Sequence, residues 1–186
     1  MSVIKLSGRY AKSLVDLAVE KNELNAVYND MRSFQQVCKS SREFVLMLRN
    51  PIIHLDKKMN VINQLFSKSF SNFTMSFMTL VVSKGREAFL PEMAEAVIST
   101  YNRMNGITEV KLTTAVAASQ PIIDKVKSIV ATHTGNKEVE LQTKVKPALI
   151  GGFVMEFDNQ MVDASVIRQL EILDDNFLDN SYIKKY

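Results

Sequence analysis

Two hydrophobic periods divide the chain near residue 105. Before that point apolar residues recur every three or four positions, as on one face of an α-helix, and no stretch alternates like a strand. After it the apolar period is two, which is typical of half-buried β-strands. The change of period predicts an α+β protein with two domains, an N-terminal six-helix bundle at 1–105 and a small α/β domain at 106–186.

Helix ends in the first half are marked by proline and glycine. Asn50-Pro51 predicts one end, because the residue before proline is disfavoured in the helical region. Gly85 predicts another, since glycine readily adopts the left-handed conformation that ends many helices. About six helices fit between these breaks, and the most aromatic apolar stripe consists of Phe70, Phe73, Phe77, Leu80 and Val81.

The second half is predicted to hold about three to four strands and two helices. The alternating segments are 110–114, 139–145, 153–157 and, after a polar turn at 158–160, the short pair 161–162. A helix that opens near Pro121 follows the first strand, and proline suits a first helical turn. The last helix is predicted at about 164–177, with Asp163 or Ser165 available as its cap.

Charge divides between the halves but does not define a nucleic-acid surface. Residues 1–105 carry 14 Lys and Arg against 9 Asp and Glu, while residues 106–186 carry 9 against 11. The basic residues are dispersed among acids, so a small nucleic-acid-binding protein stays only an alternative. No apolar run approaches the ~20 residues that span a bilayer, and the start resembles no export signal. These features lead us to expect a soluble, cytoplasmic protein.

No catalytic, cofactor or metal site can be assembled from the sequence. The two histidines, His54 and His133, lie far apart, and Cys38 is the single cysteine. Cys38 falls in the apolar phase of a helix and is predicted to be a core or boundary residue. Gly151-Gly152 lacks the Lys and hydroxyl of a phosphate-binding loop. The chain is therefore predicted not to be an enzyme.

Several segments, in order and spacing, resemble one family. They are Arg9-Tyr10-Ala11-Lys12-Ser13-Leu14, Leu48-Arg49-Asn50-Pro51-Ile52-Ile53 with Lys57-Lys58, Ser83 to Leu90, and most specifically Lys144 to Phe153 followed by Asp163-Ala164-Ser165-Val166. The chain resembles, over nearly its whole length, the delta subunits of F-type ATP synthases, whose mitochondrial counterpart is the oligomycin sensitivity conferring protein. Lys146 departs from the family, where an acidic residue is common before the proline.

The residues of the most specific segment have a structural interpretation. Gly151 and Gly152 are predicted to permit special backbone torsions or a close approach of two chain segments. Pro147 is predicted to interrupt the second strand, and Asp163 and Ser165 are predicted to lie at the start of the last helix. These five residues are therefore expected to maintain the fold.

The resemblance implies a non-catalytic stator subunit that ties the catalytic head to the peripheral stalk. In that family the N-terminal domain binds the N-terminal helix of an alpha subunit, in a groove between its first and fifth helices. The candidate contacts implied here are Tyr10, Ala11, Leu14 and Ala18 on the first helix and Phe73, Phe77, Leu80 and Val81 on the fifth. Alternatively, these stripes simply fill the core of the bundle.

The second domain is implied to bind the peripheral-stalk b subunits. The candidate positions are Val166, Leu170, Leu173 and Phe177, which could instead pack on the sheet. Proton translocation and ATP chemistry would belong to other subunits, with no nucleic acid or cofactor bound here. Membrane association is implied only through the complex, at the cytoplasmic face of a bacterial inner membrane.

Overall fold

The computed structural model describes residues 3–135, 138–157 and 160–178, with side chains up to residue 175. Within them are eight α-helices, two 3-10 turns and one four-stranded sheet, so the predicted α+β class is confirmed. The chain separates into two compact units, Met1–Met104 and Asn105–Tyr186. Each has its own cluster of buried apolar side chains.

The first unit is entirely helical. Its helices are α1 (Val3–Glu20), α2 (Leu24–Ser40), α3 (Arg42–Arg49), α4 (Leu55–Phe66), α5 (Asn72–Ser83) and α6 (Leu90–Asn105). Helix α2 packs against α1, α3 and α5. Residues from all six helices form one core, in which the rings of Phe34, Phe44 and Phe66 contact one another mostly edge-on.

The helix ends of the first unit follow their local sequence. Helix α3 ends before Asn50, whose backbone is extended ahead of proline. Gly85 has φ +64°, and the N–H groups of Gly85 and Arg86 donate to the carbonyls of Val82 and Val81. This pair of bonds satisfies the last carbonyls of α5 in the glycine-ended arrangement predicted from the sequence.

The second unit contains strands β1 (Ile107–Thr114), β2 (Glu138–Val145), β3 (Phe153–Phe157) and β4 (Gln160–Asp163), and helices α7 (Gln120–Thr134) and α8 (Val166–Leu178). The strand order is β2-β1-β3-β4, with β1 parallel to β2 and the other neighbours antiparallel. Helix α7 connects the two parallel strands, since parallel strands need a crossover. Residues 158 and 159 of the predicted turn lie outside the described residues.

One face of the sheet packs against α7. Val110 and Leu112 of the central strand β1 are buried with Val126 and Val130 of α7. On β2, Val139 and Leu141 pack against this cluster, but the predicted inner face does not continue, because Thr143 and Val145 are exposed. The reason is tertiary: β2 is an edge strand, and the buried cluster reaches only its first half.

The glycine pair brings two chain segments closer than any side chain would allow. A Cβ on Gly152, which has φ +74°, would lie 2.1 Å from the carbonyl oxygen of Ala164, and a Cβ on Gly151 would lie 2.9 Å from a methyl of Val166. Pro147 follows β2 and begins a 3-10 turn, Pro147–Leu149, which contacts α8. The predicted structural roles of these three residues agree with this geometry.

Ser165 is the residue that caps α8. Its hydroxyl accepts a hydrogen bond from the backbone N–H of Arg168, while Asp163 accepts one from the backbone N–H of Ser165 at 2.9 Å. Hydrogen bonds from the Ser165 side chain and backbone lower the pKa of the Asp163 carboxyl below its ordinary value. Asp163 therefore supports the cap instead of forming it.

Cys38 packs at the edge of the helical core. It is half-buried, and desolvation, followed by the charge of Glu92, raises the pKa of its thiol to about 11.

We expect iodoacetamide to alkylate Cys38 at pH 8 about a hundredfold more slowly in the folded protein than in the protein unfolded by urea, because the thiolate is the nucleophile. Mass spectrometry of a time course measures both rates, and equal rates would contradict the burial of this thiol.

Candidate functional site

An open groove runs between α1 and α5 in the first unit. Its volume is about 460 Å³, and its lining residues are Arg9, Tyr10, Ser13, Leu14, Leu17, Phe73, Ser76, Phe77, Leu80 and Arg86. Leu17 and Leu80 are 47% and 49% exposed. Large apolar side chains left open in a concave site favour the binding of another apolar surface.

Helix α5 has apolar residues on two sides. Thr74, Met78 and Val81 face the core at helical spacing, while Phe73, Phe77 and Leu80 line the groove one position earlier in each turn. The helix contains no charged residue. A helix whose apolar residues face two sides is normally covered on both, so the groove side of α5 lacks its cover in the isolated chain.

Both ends of α5 are fixed by local hydrogen bonds. At its start, the Ser71 hydroxyl accepts from the N–H of Thr74, and the buried carboxylate of Asp30 on α2 accepts from the N–H of Ser71 at 2.9 Å. At its end, the glycine-ended turn leads directly to Arg86. These contacts hold the α5 wall of the groove in place.

Aromatic and basic side chains border the groove. Tyr10 on α1 meets Phe77 on α5 edge-to-face, with ring centroids 6.4 Å apart. Arg86 donates a hydrogen bond to the Tyr10 hydroxyl, and its guanidinium lies 5.4 Å from the centre of that ring. The Nζ of Lys21 lies 5.1 Å from the centre of the Phe73 ring. Such cation–ring contacts keep the aromatic side chains in defined positions.

The structure separates the predicted groove residues into two sets. Five of them line the groove, namely Tyr10, Leu14, Phe73, Phe77 and Leu80. Ala11, Ala18 and Val81 are completely buried in the core and are not part of the lining, which corrects their placement. Successive residues of a helix are rotated by about 100°, so an error of one position turns a surface contact into a core residue.

Three further residues line the groove that were not among the predicted contacts, namely Leu17, Arg9 and Arg86. Leu17 follows Tyr10 by seven positions and Leu14 by three, so the helical template itself could have identified it. Arg86 had no local signal, because its partner Tyr10 lies 76 residues away. Only the packing of α1 beside the end of α5 brings the two together.

A second apolar surface lies on α8. Val166 is half-buried, whereas Leu170, Ile172 and Leu173 are 46%, 45% and 51% exposed. The alternative interpretation, that Leu170 and Leu173 pack on the sheet as core, is therefore wrong. The side chain of Phe177 lies outside the described residues.

Ile150 is a further exposed apolar residue, close in sequence to the turn that contacts α8. It is 65% exposed and has φ +63°, a conformation that β-branched residues rarely adopt. Its neighbour Gly151 accepts a hydrogen bond from the N–H of Val166 at 3.0 Å. Strained backbone that presents a side chain to solvent is a recurring feature of functional surfaces.

An apolar groove on a helical unit, together with an exposed apolar helix on a second unit, is typical of an adaptor that binds other proteins. The sequence profile described as "ATP synthase delta (OSCP) subunit" matches residues 6–177. The chain belongs to this ATP synthase delta (OSCP) family. Members of the family are structural rather than catalytic subunits of the synthase, and the resemblance inferred from the motifs is confirmed.

Individual relatives match over almost the full chain. The ATP synthase subunit delta of Cytophaga hutchinsonii is 35% identical over 96% of this chain and 97% of its own length. A chloroplastic ATP synthase subunit delta from Ochrosphaera neapolitana is 32% identical over 92% of this chain and 96% of its own. A chain of the Toxoplasma gondii mitochondrial ATP synthase hexamer superposes with a TM-score of 0.77 at 25% identity, covering 93% of this chain and 97% of that one.

The prediction of a small nucleic-acid-binding protein receives no support from the family match. Within the residues that the structure describes, no helix is both long and apolar enough to cross a bilayer.

Proposed function

We propose that this chain is a non-catalytic stator subunit that links the catalytic head of an F-type ATP synthase to its peripheral stalk. The observation that carries the proposal is the uncovered apolar groove between α1 and α5. The N-terminal helix of an alpha subunit occupies this groove. The six helices of the first unit form the bundle that presents it, and the α/β unit faces the stalk.

The dimensions and chemistry of the groove suit an amphipathic helix. Leu14, Leu17, Phe73, Phe77 and Leu80 supply an apolar floor and walls, which accept side chains at i, i+3, i+4 and i+7 of a partner. Leu17 and Leu80 lose their solvent exposure in such a complex. Apolar side chains that become buried at the centre of an interface contribute most of its binding energy, so these two residues are expected to contribute to affinity.

Helix α8 supplies the contact with the b subunits. Its exposed side chains Leu170 and Leu173 are three positions apart and form one apolar strip. Helical b-subunit ends can cover this strip as one amphipathic helix covers another. With partners at both units, the chain resists the torque that rotation places on the catalytic head. It associates with the cytoplasmic face of the bacterial inner membrane through these partners.

Replacing Leu80 with alanine is expected to weaken binding of the alpha-subunit segment about tenfold and to leave the fold intact. Leu80 is half exposed, so its truncation removes a groove contact without opening a core cavity. Leu65→Ala on α4 is the matched control, because Leu65 is equally exposed (50%) and does not line the groove. Calorimetric titration with a peptide copying the N-terminal segment of the same organism's alpha subunit measures both affinities.

Two outcomes of this titration would reject the groove. One is the absence of saturable one-to-one binding by the folded chain. The other is an equal loss of affinity in Leu80→Ala and Leu65→Ala, since that would indicate a general effect of surface truncation. Circular dichroism of each variant confirms that the helices are retained.

Leu173→Ser is expected to abolish most of the binding of a peptide copying the C-terminal segment of the b subunit. Leu173 is 51% exposed on α8, and a hydroxyl removes its apolar contact with the partner. Ile129→Ser on α7 is the control, because Ile129 is 44% exposed in the same unit and lies outside the α8 strip. Equal affinities for Leu173→Ser and the unchanged chain would remove α8 from the b-subunit contact.

A further inference from the structure

Three basic side chains surround the groove between α1 and α5. Arg9 and Arg86 line it beside Tyr10, and Lys21 lies at the opposite end, over Phe73. None of the ten lining residues is acidic. The groove is therefore apolar along its length and positively charged at both ends.

Within the part of the chain that the structure describes, these three cations form no ion pair. Among residues 3–135, 138–157 and 160–175, no carboxylate lies within 4.0 Å of Arg9, Lys21 or Arg86. Lys21 does not line the groove itself, but its Nζ lies over the ring of Phe73, which does, whereas neither acid of α1, Asp16 or Glu20, is a lining residue. Arg86 uses one N–H on the Tyr10 hydroxyl, which leaves the other donors of its planar fork for a ligand.

The positions of the charges give the distance between the two ends of the groove. Tyr10 contacts Arg86 and Phe77, whereas Lys21 contacts Phe73, so α1 and α5 run in opposite directions along the groove. Arg9 and Lys21 are twelve positions apart on and just after α1. At 1.5 Å per residue this places the two ends of the groove about 18 Å from each other, or roughly three helical turns.

We infer that the groove selects an amphipathic helix that carries carboxylates at both ends of its apolar stripe, about three turns apart. The inference rests on the proposed function, because it concerns the segment bound in the same groove. Apolar contacts supply most of the affinity, while the paired charges fix the register of the helix and accelerate its encounter with the groove. A helix with the same stripe but basic ends is rejected by like-charge repulsion.

The test compares two peptides on the full chain. One copies the N-terminal segment of the same organism's alpha subunit, and the other has every Asp and Glu of that segment replaced by Asn and Gln. We expect the neutral peptide to bind about tenfold more weakly at 20 mM NaCl, since each rim pair contributes a factor of about two to five. The difference is expected to shrink in 0.5 M NaCl, because exposed charges are screened.

Protein variants locate the effect. Arg86→Gln and Lys21→Gln are each expected to weaken the native peptide about threefold and to leave the neutral peptide unchanged. Lys12→Gln is the matched control, because Lys12 is an exposed cation of α1 that neither lines the groove nor lies over one of its aromatic rings. Arg86→Gln also removes the hydrogen bond to the Tyr10 hydroxyl, and the Tyr10 ring could then move. Lys21→Gln leaves that hydrogen bond in place, so it tests the charge without this side effect.

The outcomes separate the two proposals. Equal binding of the native and neutral peptides at low salt overturns the charge selection and leaves the groove function in place. Weakening of the native peptide by Lys12→Gln to the same extent as by Lys21→Gln overturns it too, since a general field would then explain the effect. Failure of the native peptide to bind at all overturns both.

Discussion

Gly152→Ala is expected to destabilise the second unit by about 3 kcal/mol or more. The new Cβ would lie 2.1 Å from the carbonyl oxygen of Ala164, so the connection between β4 and α8 must move. In addition, φ at this residue is +74°, which costs an L-residue about 1–2 kcal/mol. Hydrogen–deuterium exchange read by mass spectrometry is expected to show faster exchange in β3, β4 and α8 while the first unit keeps its protection.

A second glycine separates the clash from the backbone strain. Gly135, at the end of α7, has φ +71°, but a Cβ there would meet nothing within 4 Å. Gly135→Ala is therefore expected to cost only the torsional part, about 1–2 kcal/mol. If the two substitutions destabilised the unit equally, the close approach at Gly152 would not be a determinant of its stability.

Lys58→Met is expected to destabilise the first unit by about 3–5 kcal/mol. Lys58 is only 1% exposed, and its Nζ donates to Glu87 Oε1 at 2.7 Å and to the carbonyl oxygen of Leu48 at 2.9 Å. Removal of the ammonium leaves the buried carboxylate of Glu87 without a countercharge, which is the costly way to break a buried ion pair. Urea unfolding followed by circular dichroism at 222 nm measures the change.

The double variant Lys58→Met/Glu87→Leu distinguishes this cause from lost packing. Replacement of both charges by apolar groups is often close to neutral, so most of the stability is expected to return. Some loss remains, because the carbonyl of Leu48 no longer has its donor. A double variant as unstable as Lys58→Met would refute the account based on an unpaired charge.

The exposed pair between Arg49 and Glu92 is the control for ion-pair burial. Arg49 Nη2 lies 2.6 Å from Glu92 Oε1, but the Arg49 side chain is 54% exposed. Arg49→Met is therefore expected to cost less than about 1 kcal/mol. The contrast with Lys58→Met would show that burial, rather than the distance between the charges, determines the cost.

The buried pair is connected to the groove through the chain itself. Glu87 follows Arg86 and begins the 3-10 turn Glu87–Phe89, which packs against α3 and α5. Lys58 thus fixes the turn immediately after the arginine that borders the groove. A loss of order at this turn would also move a charged contact of the proposed binding site.

The sequence by itself determined the secondary structure, because its signals are local. An apolar period of 3.6 residues identifies the helices, and a period of two identifies the strands. Pro51 and Gly85 end helices through their own backbone preferences. The start of α8 near Ser165 was predictable for the same reason, whereas the glycine pair predicted a special backbone or a close approach without identifying Ala164 and Val166 as the residues approached. The motifs likewise identified the family, since their order and spacing are properties of the chain alone.

The tertiary structure decided which residues meet. Periodicity predicts which face of β1 is buried but not which strands lie beside it. The order β2-β1-β3-β4 and the exposure of the second half of β2 are therefore determined by the tertiary structure. Lysine is normally exposed, and nothing in the sequence near Lys58 indicates that it is buried. Its partner Glu87 lies 29 positions away, so only the fold brings the two charges together. On α1 and α5, core and groove positions differ by one residue, and only the packing of the neighbouring helices determines which side is covered.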